Sequence, residues 1–493
     1  MGAARVSDPS YLKSHWRFQL HRMTGLLRAL MKNRMSAIGL IILVLSGVVA
    51  VAAPIFTPYH DLQQVSGPDA QPAWVMSFPD GYYLSKNFVA IKDSSFSSPA
   101  AVQAVGLSGS QLDLSSLALS YTPEITDPGT HAIGSLQLSH PVQGTATAVL
   151  NQTFLYPYRG PPASFLATVS LLAIGATTVH PVHVRIFIDQ IGGLVYNLWD
   201  ENITQSGNWT RPGNVDSILD LPRGSTSLPA PAIIFSAVQE YTYGIELTFD
   251  GPQRVDITNL QLSLLGTAWG LLGTDSAGSD LLTRDLFGTG PSMLVGLTAA
   301  LLGIGVGLII GLLAGLLGGV VDQLLMRITD LFLTIPFLPL AIILVVVLTA
   351  SALVIIMIIA FFSWMGFARV IRSQVLTLRE RPFIEAARAA GAGNMRILSK
   401  HLFPNLIGLT YVNLALSVPG AILTYAALAF LGLGDPTVES WGRILNDNFV
   451  VGGTAQWWWV IPPGFAIAIV SLSFVLIGYA LDEMFNPKLR KRL

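Results

Sequence analysis

Between two long apolar blocks lies a polar, basic island, RVIRSQVLTLRERPFIEAARAAGAGNMRILSKHLFPNL, from Arg369 to Leu406. Within it Glu385, Ala386, Ala387 and Arg388 are followed by Gly391, Ala392 and Asn394, and then by His401-Leu402-Phe403-Pro404-Asn405. The island has no apolar face large enough to be a domain, so it reads as a docking element for a soluble partner. Glu385 and the arginines supply charge pairs that fix orientation, and Ala386, Ala387, Ala389 and Ala390 present little bulk, so a partner surface can come close. The pattern predicts a helix over Val375–Ala390, interrupted near Pro382, a sharp turn permitted by Gly391 and Gly393, and a second short helix over Asn394–Phe403. Pro404 marks entry into the next apolar run. For Arg369 and Arg372, contact with anionic lipid headgroups is an equal alternative to docking.

Other chemistries find no support. No Gly-x-x-x-x-Gly-Lys-Ser/Thr loop occurs, and none of the seven lysines follows a glycine. Among eight histidines, His180 and His183 lie near each other on a predicted strand without a third ligand, and read as ordinary surface histidines. The absence of cysteine excludes disulfides, iron–sulfur clusters and thiolate metal sites. No catalytic residue, metal, cofactor or nucleic-acid partner is expected. Ion-coupled transporters place an ionisable group near mid-membrane, whereas here Asp322, Arg327, Asp330, Arg369 and Asp482 fall at the ends of apolar runs. A transporter of this composition needs an external motor.

The elements that must position the island follow from hydropathy. At 52% hydrophobic and 12% charged residues, with a mean hydropathy of +0.57, the 493-residue chain is too apolar for a soluble globular protein. Runs at Met35–Phe56, Met293–Val321, Leu331–Val370, Leu406–Leu433 and Trp458–Leu481 are each long enough to cross a bilayer, at about 20 residues per helix. Leu331–Val370 suits two crossings with a tight turn near Thr349–Ser351, which makes six spans. Residues 1–35 hold seven Lys/Arg and one acid, Arg369–Lys400 seven and two, and Asn486–Leu493 four and none, whereas residues 54–290 hold eight Lys/Arg and nineteen acids. The positive-inside rule then places both termini and the island in the cytoplasm, and residues 54–290 outside. An uncleaved first span is expected, because its basic leader is longer than a signal n-region. Gly303, Gly307, Gly311, Gly315 and Gly319 recur every four residues and predict a smooth ridge where another helix packs backbone to backbone. Trp457-Trp458-Trp459 reads as an aromatic belt at the outer surface.

From Pro54 to about Trp269 the pattern changes to short alternating segments. Ala167–Ala173, Val182–Asp189, Tyr241–Phe249 and Val255–Leu264 read as β-strands, and several such strands suggest a sandwich. Asn151, Asn202 and Asn208 each begin a glycosylation-type triplet, in agreement with an exposed location.

The island resembles the EAA loop by which permease subunits of ABC importers seat on their ATPases. Three further segments resemble the C-type permease subunit of dipeptide and oligopeptide importers: Leu272–Asp275 with Gly278–Arg284 before the second span, Phe430–Gly434 with Ser440-Trp441-Gly442 before the last, and Leu481–Glu483 running to Asn486–Arg490. The resemblance covers the first 60 and roughly the last 225 residues, and departs at Ser279 and near Gly290, where the family carries basic residues. It implies a type I permease fold: an all-α polytopic membrane protein with six transmembrane helices, here carrying an inserted β-rich, sandwich-like extracytoplasmic domain. The implied division is a cytoplasmic segment 1–34, a first span 35–57, the insertion 58–268, a permease core 269–485 with its coupling loop 369–405, and a tail 486–493. It further implies a second permease subunit, two ATP-binding-cassette ATPases, an external substrate-binding protein, and a prokaryotic cytoplasmic membrane. Peptides are the default cargo, with oligosaccharides or nickel as alternatives. Two readings from other classes remain: an anchored receptor, for which one span would suffice, and an ion-coupled secondary transporter.

Overall fold

The computed structural model describes residues 30–91, 96, 106–107, 118–128, 133–212, 229–453 and 456–485. The basic leader before Leu30 and the tail 486–493 lie outside the described residues. The chain divides into two compact units, residues 62–282 and residues 1–61 with 283–493.

The first unit is a β-sandwich of strands β1 (Ala118–Thr126), β2 (Ile133–His140), β3 (Thr145–Tyr156), β4 (Ser164–Ile174), β5 (Val182–Gln190), β6 (Val195–Ile203), β7 (Gln239–Asp250) and β8 (Gln253–Leu265). One sheet runs in the order β4-β8-β2-β1 and the other β3-β7-β5-β6. All of these pairings are antiparallel. The four strands expected from Val, Ile, Thr and Tyr content all form. Burial along β5 alternates residue by residue, as a strand with one face on a core requires. The core is closed by Leu136, Leu171, Val255 and Ile257 of one sheet against Leu150, Val184, Ile186, Ile245 and Leu247 of the other. The unit extends past the β-strands to Leu282 because a polar turn holds its two ends together. Thr274 Oγ1 donates to the Gly67 carbonyl at 2.7 Å and accepts from Ala70 N–H at 2.8 Å. Asp275 Oδ1 accepts from Ala277 and Ser279 N–H at 2.8 Å each, and Gly278, at φ +80°, takes Val65 N–H on its carbonyl. The Gly-Thr-Asp and Gly-Ser-Asp residues are therefore fasteners of backbone geometry.

The helices that build the other unit are α1 (Arg34–Phe56), α2 (Leu281–Leu317), α3 (Gly319–Thr334), α4 (Phe337–Leu348), α5 (Ala352–Arg379), α6 (Pro382–Ala389), α7 (Asn394–Ile397), α8 (Phe403–Leu428), α9 (Trp441–Val450) and α10 (Trp457–Phe485). Five are long and apolar enough to cross a membrane: α1, α2, α5, α8 with its flanking turns, and α10. The pair α3 and α4, bent by 88°, makes up to six. Asn33 caps α1 by accepting Met35 N–H, and its amide donates to Glu483 Oε2 of α10 at 2.9 Å.

Three expectations need correction. The helix that carries the second span begins at Leu281, not Met293: Thr283 and Arg284 find partners in Thr57 and Glu439, and one carboxylate oxygen of Asp285 is buried without a partner among the described residues. The third run is broken by an 88° bend: Leu331–Thr334 belongs to α3, which carries Asp322, Arg327 and Asp330, and only α4 is wholly apolar. Pro336 has no N–H to continue α3 and forces Ile335 to an extended ψ of 126°, so Pro336 sits at the break itself. The turn near Thr349–Ser351 is present, with Thr349 at φ +70° and Ser351 capping α5. Gly319 leaves the glycine series, since α2 ends at Leu317 and a Cβ on Gly319 would meet nothing.

Candidate coupling site

The Pro382 ring sits in the first turn of α6, where a missing N–H costs nothing. α6 closes at Ala390, Gly391 turns the chain at φ +80°, and Gly393 precedes α7, which passes through a π-turn at Leu398–Leu402 into α8. Pro404 lies in the first turn of α8. The arrangement has two faces. Ile384, Ile397 and Leu402 are fully buried and join Ile371 and Val375 of α5, Leu312 and Leu316 of α2, and Leu406 of α8 in one cluster. Glu385, Ala386, Arg388, Gly391 and Asn394 are exposed, whereas Ala387 and Ala392 are half-buried. Among the described residues, Glu385 and Arg388 make no ion pair, so their charges stay presented outward. A helix anchored by a few isoleucines and bare on its other face is a handle.

The handle is tied to a charged frame. Arg372 of α5 donates two hydrogen bonds to Asp322 of α3, at 2.5 and 2.6 Å. Arg369 pairs with Asp330, also of α3. Arg369 and Arg372, read in the sequence as equally suited to lipid headgroups or to docking, are thus each paired with an acid of α3, while Arg369 stays half-exposed. Arg379 donates to the Gly315 carbonyl at 3.3 Å, placing a cation at the negative end of α2.

The ridge of α2 meets α5 backbone to backbone. A Cβ on Gly307 would lie 2.6 Å from the Trp364 carbonyl oxygen, and one on Gly311 2.5 Å from that of Ala368. On Gly303 it would collide with Ser363 Oγ, and on Gly315 with Val375 at 2.7 Å. With no side chain between them at these positions, α2 and α5 approach backbone to backbone and have little room to slide past each other.

At the opposite end of α2, Arg284 is buried against Glu439 by bonds of 3.1–3.2 Å, with Asp447 of α9 at 2.5 Å. Burial pushes the Glu439 carboxyl above its ordinary range, and the Arg284 charge pulls it back. Trp441 follows, its N–H on Ser292 Oγ and its indole on the Asp285 carbonyl. Sequence reasoning noted Arg284 and Ser440-Trp441-Gly442 separately but did not join them. Trp458 and Trp459 are buried, and only Trp457 is exposed, so the three do not form a belt. His180 pairs with Asp250 at 3.0 Å and His183 with Asp200 at 2.8 Å on the sandwich.

Residues 307–491 match the family described as the binding-protein-dependent transport system inner membrane component, and residues 23–73 match the N-terminal transmembrane domain of oligopeptide transport permease C. The dipeptide transport system permease protein DppC of Bacillus subtilis is 35% identical over 239 residues, covering 48% of this chain and 74% of that protein. The oligopeptide transport system permease protein OppC of Escherichia coli K12 is 41% identical over 217 residues, covering 44% and 72%. The OppC of Salmonella typhimurium reaches 39% over 241 residues, covering 46% and 80%. This chain belongs to the binding-protein-dependent transport permeases, in their dipeptide/oligopeptide C branch. The permease match includes every residue from Arg369 to Leu406. The region 74–306 lies outside both matched stretches, so most of the β-sandwich of this permease has no counterpart there. As a member of a transport permease family with several membrane-length apolar helices, the chain is a multi-pass membrane protein.

Proposed function

We propose that this permease forms half of the translocation path of an ABC importer for di- and oligopeptides, in a prokaryotic cytoplasmic membrane, with a second related permease completing the path. The cargo is read from the names of the relatives, which are dipeptide and oligopeptide permeases. An external substrate-binding protein delivers it. Of two ATP-binding-cassette subunits in the assembly, one seats on the exposed face of α6, contacting Glu385, Ala386, Ala387, Arg388, Gly391, Ala392 and Asn394. Both termini and this loop lie in the cytoplasm, and the sandwich lies outside, as the charge segregation requires.

The observation that carries this reading is the two-faced α6. ATPase closure moves a surface against Glu385 and Arg388. Ile384, rigidly packed, passes that displacement to Ile371 and Val375 of α5 and to Leu312 and Leu316 of α2. A close-packed cluster transmits strain because it has no free volume to absorb it. The glycine ridge then carries α2 with α5, and the path alternates between inward- and outward-open by rigid-body motion.

The test is Gly391→Trp in the assembled complex. The substitution puts a bulky residue at a left-handed position of the handle, and peptide uptake and co-purification of the ATPases should both be lost. Unchanged uptake with the ATPases still bound would refute the docking assignment.

A further inference from the structure

A cavity of about 410 Å³ opens at the break between α3 and α4. Its walls come from α2, α5, α8 and the break itself, and most of the lining is apolar, with Phe332, Phe337, Phe362, Ile359, Met365 and Leu416 among it. Among the described residues that line it, none is charged. Three hydroxyls do line it: Ser363, Ser417 and Thr424. Ser417 donates to the Asn413 carbonyl at 2.7 Å, Thr424 to Gly420 at 2.7 Å, and Ser363 to Ala360 at 3.2 Å. Each hydroxyl hydrogen is therefore taken by its own helix, and the oxygen is left with lone pairs only.

The backbone adds acceptors of the same kind. Phe332, Leu333 and Ile335 line the cavity at the C-terminal end of α3. Ile335 N–H closes on the Phe332 carbonyl at 3.3 Å, and the carbonyls that follow it lie at the negative end of the α3 dipole. Pro336 brings no N–H to meet them. Irregular backbone at membrane depth is tolerated where it is buried in protein or lines a water-filled cavity. Gly420 supplies the remaining clue. A Cβ on it would meet nothing within 4 Å, so no packing contact within this chain explains a residue that weakens the middle of α8.

We infer that this cavity is the point on the translocation path where the passing cargo's hydrogen-bond donors, its amino-terminal ammonium and peptide N–H groups, are held for a moment. A largely apolar, uncharged lining whose few side-chain polar atoms act as acceptors suits that role: it takes any peptide regardless of side chain, favours a cation over an anion, and binds too weakly to trap. The inference rests on the importer reading and names the site within it.

The chain has no cysteine, so Gly420→Cys gives a single thiol in an otherwise unreactive permease. In the complete complex in nanodiscs, that thiol should react about threefold faster with the cationic 2-aminoethyl methanethiosulfonate than with the anionic 2-sulfonatoethyl reagent once each rate is divided by that with free 2-mercaptoethanol, given the dipole end that lines the same cavity. Trialanine should protect it, and N-acetyl-trialanine should protect it less. A thiol that reacts in no nucleotide state, that prefers the anion, or that trialanine leaves unprotected overturns the inference. Gly420→Phe supplies the second arm: it should abolish uptake while the ATPases still co-purify and still respond to the loaded binding protein. Normal uptake by Gly420→Phe refutes the cavity assignment and leaves the importer standing. A native complex that binds no ATPase refutes the importer reading itself.

Discussion

Arg284, in the first turn of α2, is buried against Glu439, 155 residues later in the chain, and the pair fixes the start of one span to the loop that leads into α9. Both side chains are nearly inaccessible, at 2% each. A buried pair of this kind is weak evidence of net stabilisation, because desolvating two charges offsets much of their attraction. Breaking it is another matter. Arg284→Met should lower the stability of the purified permease by about 3–5 kcal/mol, since Glu439 is left buried without its cation. Arg284→Met combined with Glu439→Leu should recover most of that loss in thermal unfolding, because two apolar groups need no partner. A double variant as unstable as the single one would show that the pair is needed for geometry and not only for charge balance.

The same carboxyl sets a pH signature. Its folded pKa is raised by burial, so the folded state holds the proton more tightly than the unfolded state. The stability margin of the native permease over Glu439→Gln should therefore be greatest below the ordinary glutamate range, and should shrink as pH rises through that range to the raised folded value. Unfolding curves of both proteins across acidic pH check the sign. A margin that grows with pH would contradict it.

The glycine ridge predicts a contrast between neighbours. At Gly311 a methyl group would come within 2.5 Å of the Ala368 carbonyl, so Gly311→Ala must separate α2 from α5. A cost of about 1–3 kcal/mol is expected from overpacking, with ATP hydrolysis continuing while uptake falls. Gly305, on the same helix, meets nothing within 4 Å. There Gly305→Ala should be neutral or stabilise by up to about 1 kcal/mol through helix propensity alone. Equal behaviour of the two variants in thermal unfolding and uptake would remove the ridge from the mechanism.

Those glycines illustrate what is legible in the sequence. Their spacing is local, and a helix converts local spacing into a face, so Gly303 to Gly315 could be read without coordinates. The strands around Val184, Ile245 and Ile257 were legible for the same reason, through alternation. Glu385 and its alanines were legible because Pro382 and Gly391 punctuate them on both sides. The α3–α4 break was not, because hydropathy averaged across Pro336 merges an amphipathic helix with an apolar one. The roles of Arg284, Arg369 and Arg372 were also hidden, since each partner lies far along the chain and charge alone does not name it. Ser417, Gly420 and Thr424 recur at intervals of three and four and therefore share a face of α8. That signal was present, and only the void beside it shows its use.

The Asp322–Arg372 pair offers a test of the frame behind the handle. Its groups are only partly buried, at 13% and 35% exposure, so a double-mutant cycle with Asp322→Asn and Arg372→Gln should return a coupling of about 1 kcal/mol or less, screened further by salt. The effect on transport should be larger than the effect on stability if the proposed coupling route holds, because the pair links α3 to α5 beside Ile371, which packs with Ile384. Uptake that tracks thermal stability across the four proteins of the cycle would assign the pair a purely structural part.

Asp435 gives the last prediction, with the opposite pH sense. One of its carboxylate oxygens accepts from Thr437, from the hydroxyl at 2.6 Å and the N–H at 3.0 Å, and the other accepts from Ala352 N–H at 3.1 Å. These bonds, led by the Thr437 hydroxyl, hold the carboxyl below its ordinary range. The Ala352 contact places the negative charge at the amino-terminal end of α5, where the helix dipole favours it. Asp435→Ala should cost about 1–2 kcal/mol, the usual loss for a helix cap. A lowered folded pKa means that the stabilisation is complete above the ordinary aspartate range and fades as pH falls through the folded value. The difference in unfolding temperature between the native permease and Asp435→Ala should therefore close on acidification. The Glu439→Gln comparison should move the other way over the same range, and a shared direction for both would show that neither carboxyl controls the effect.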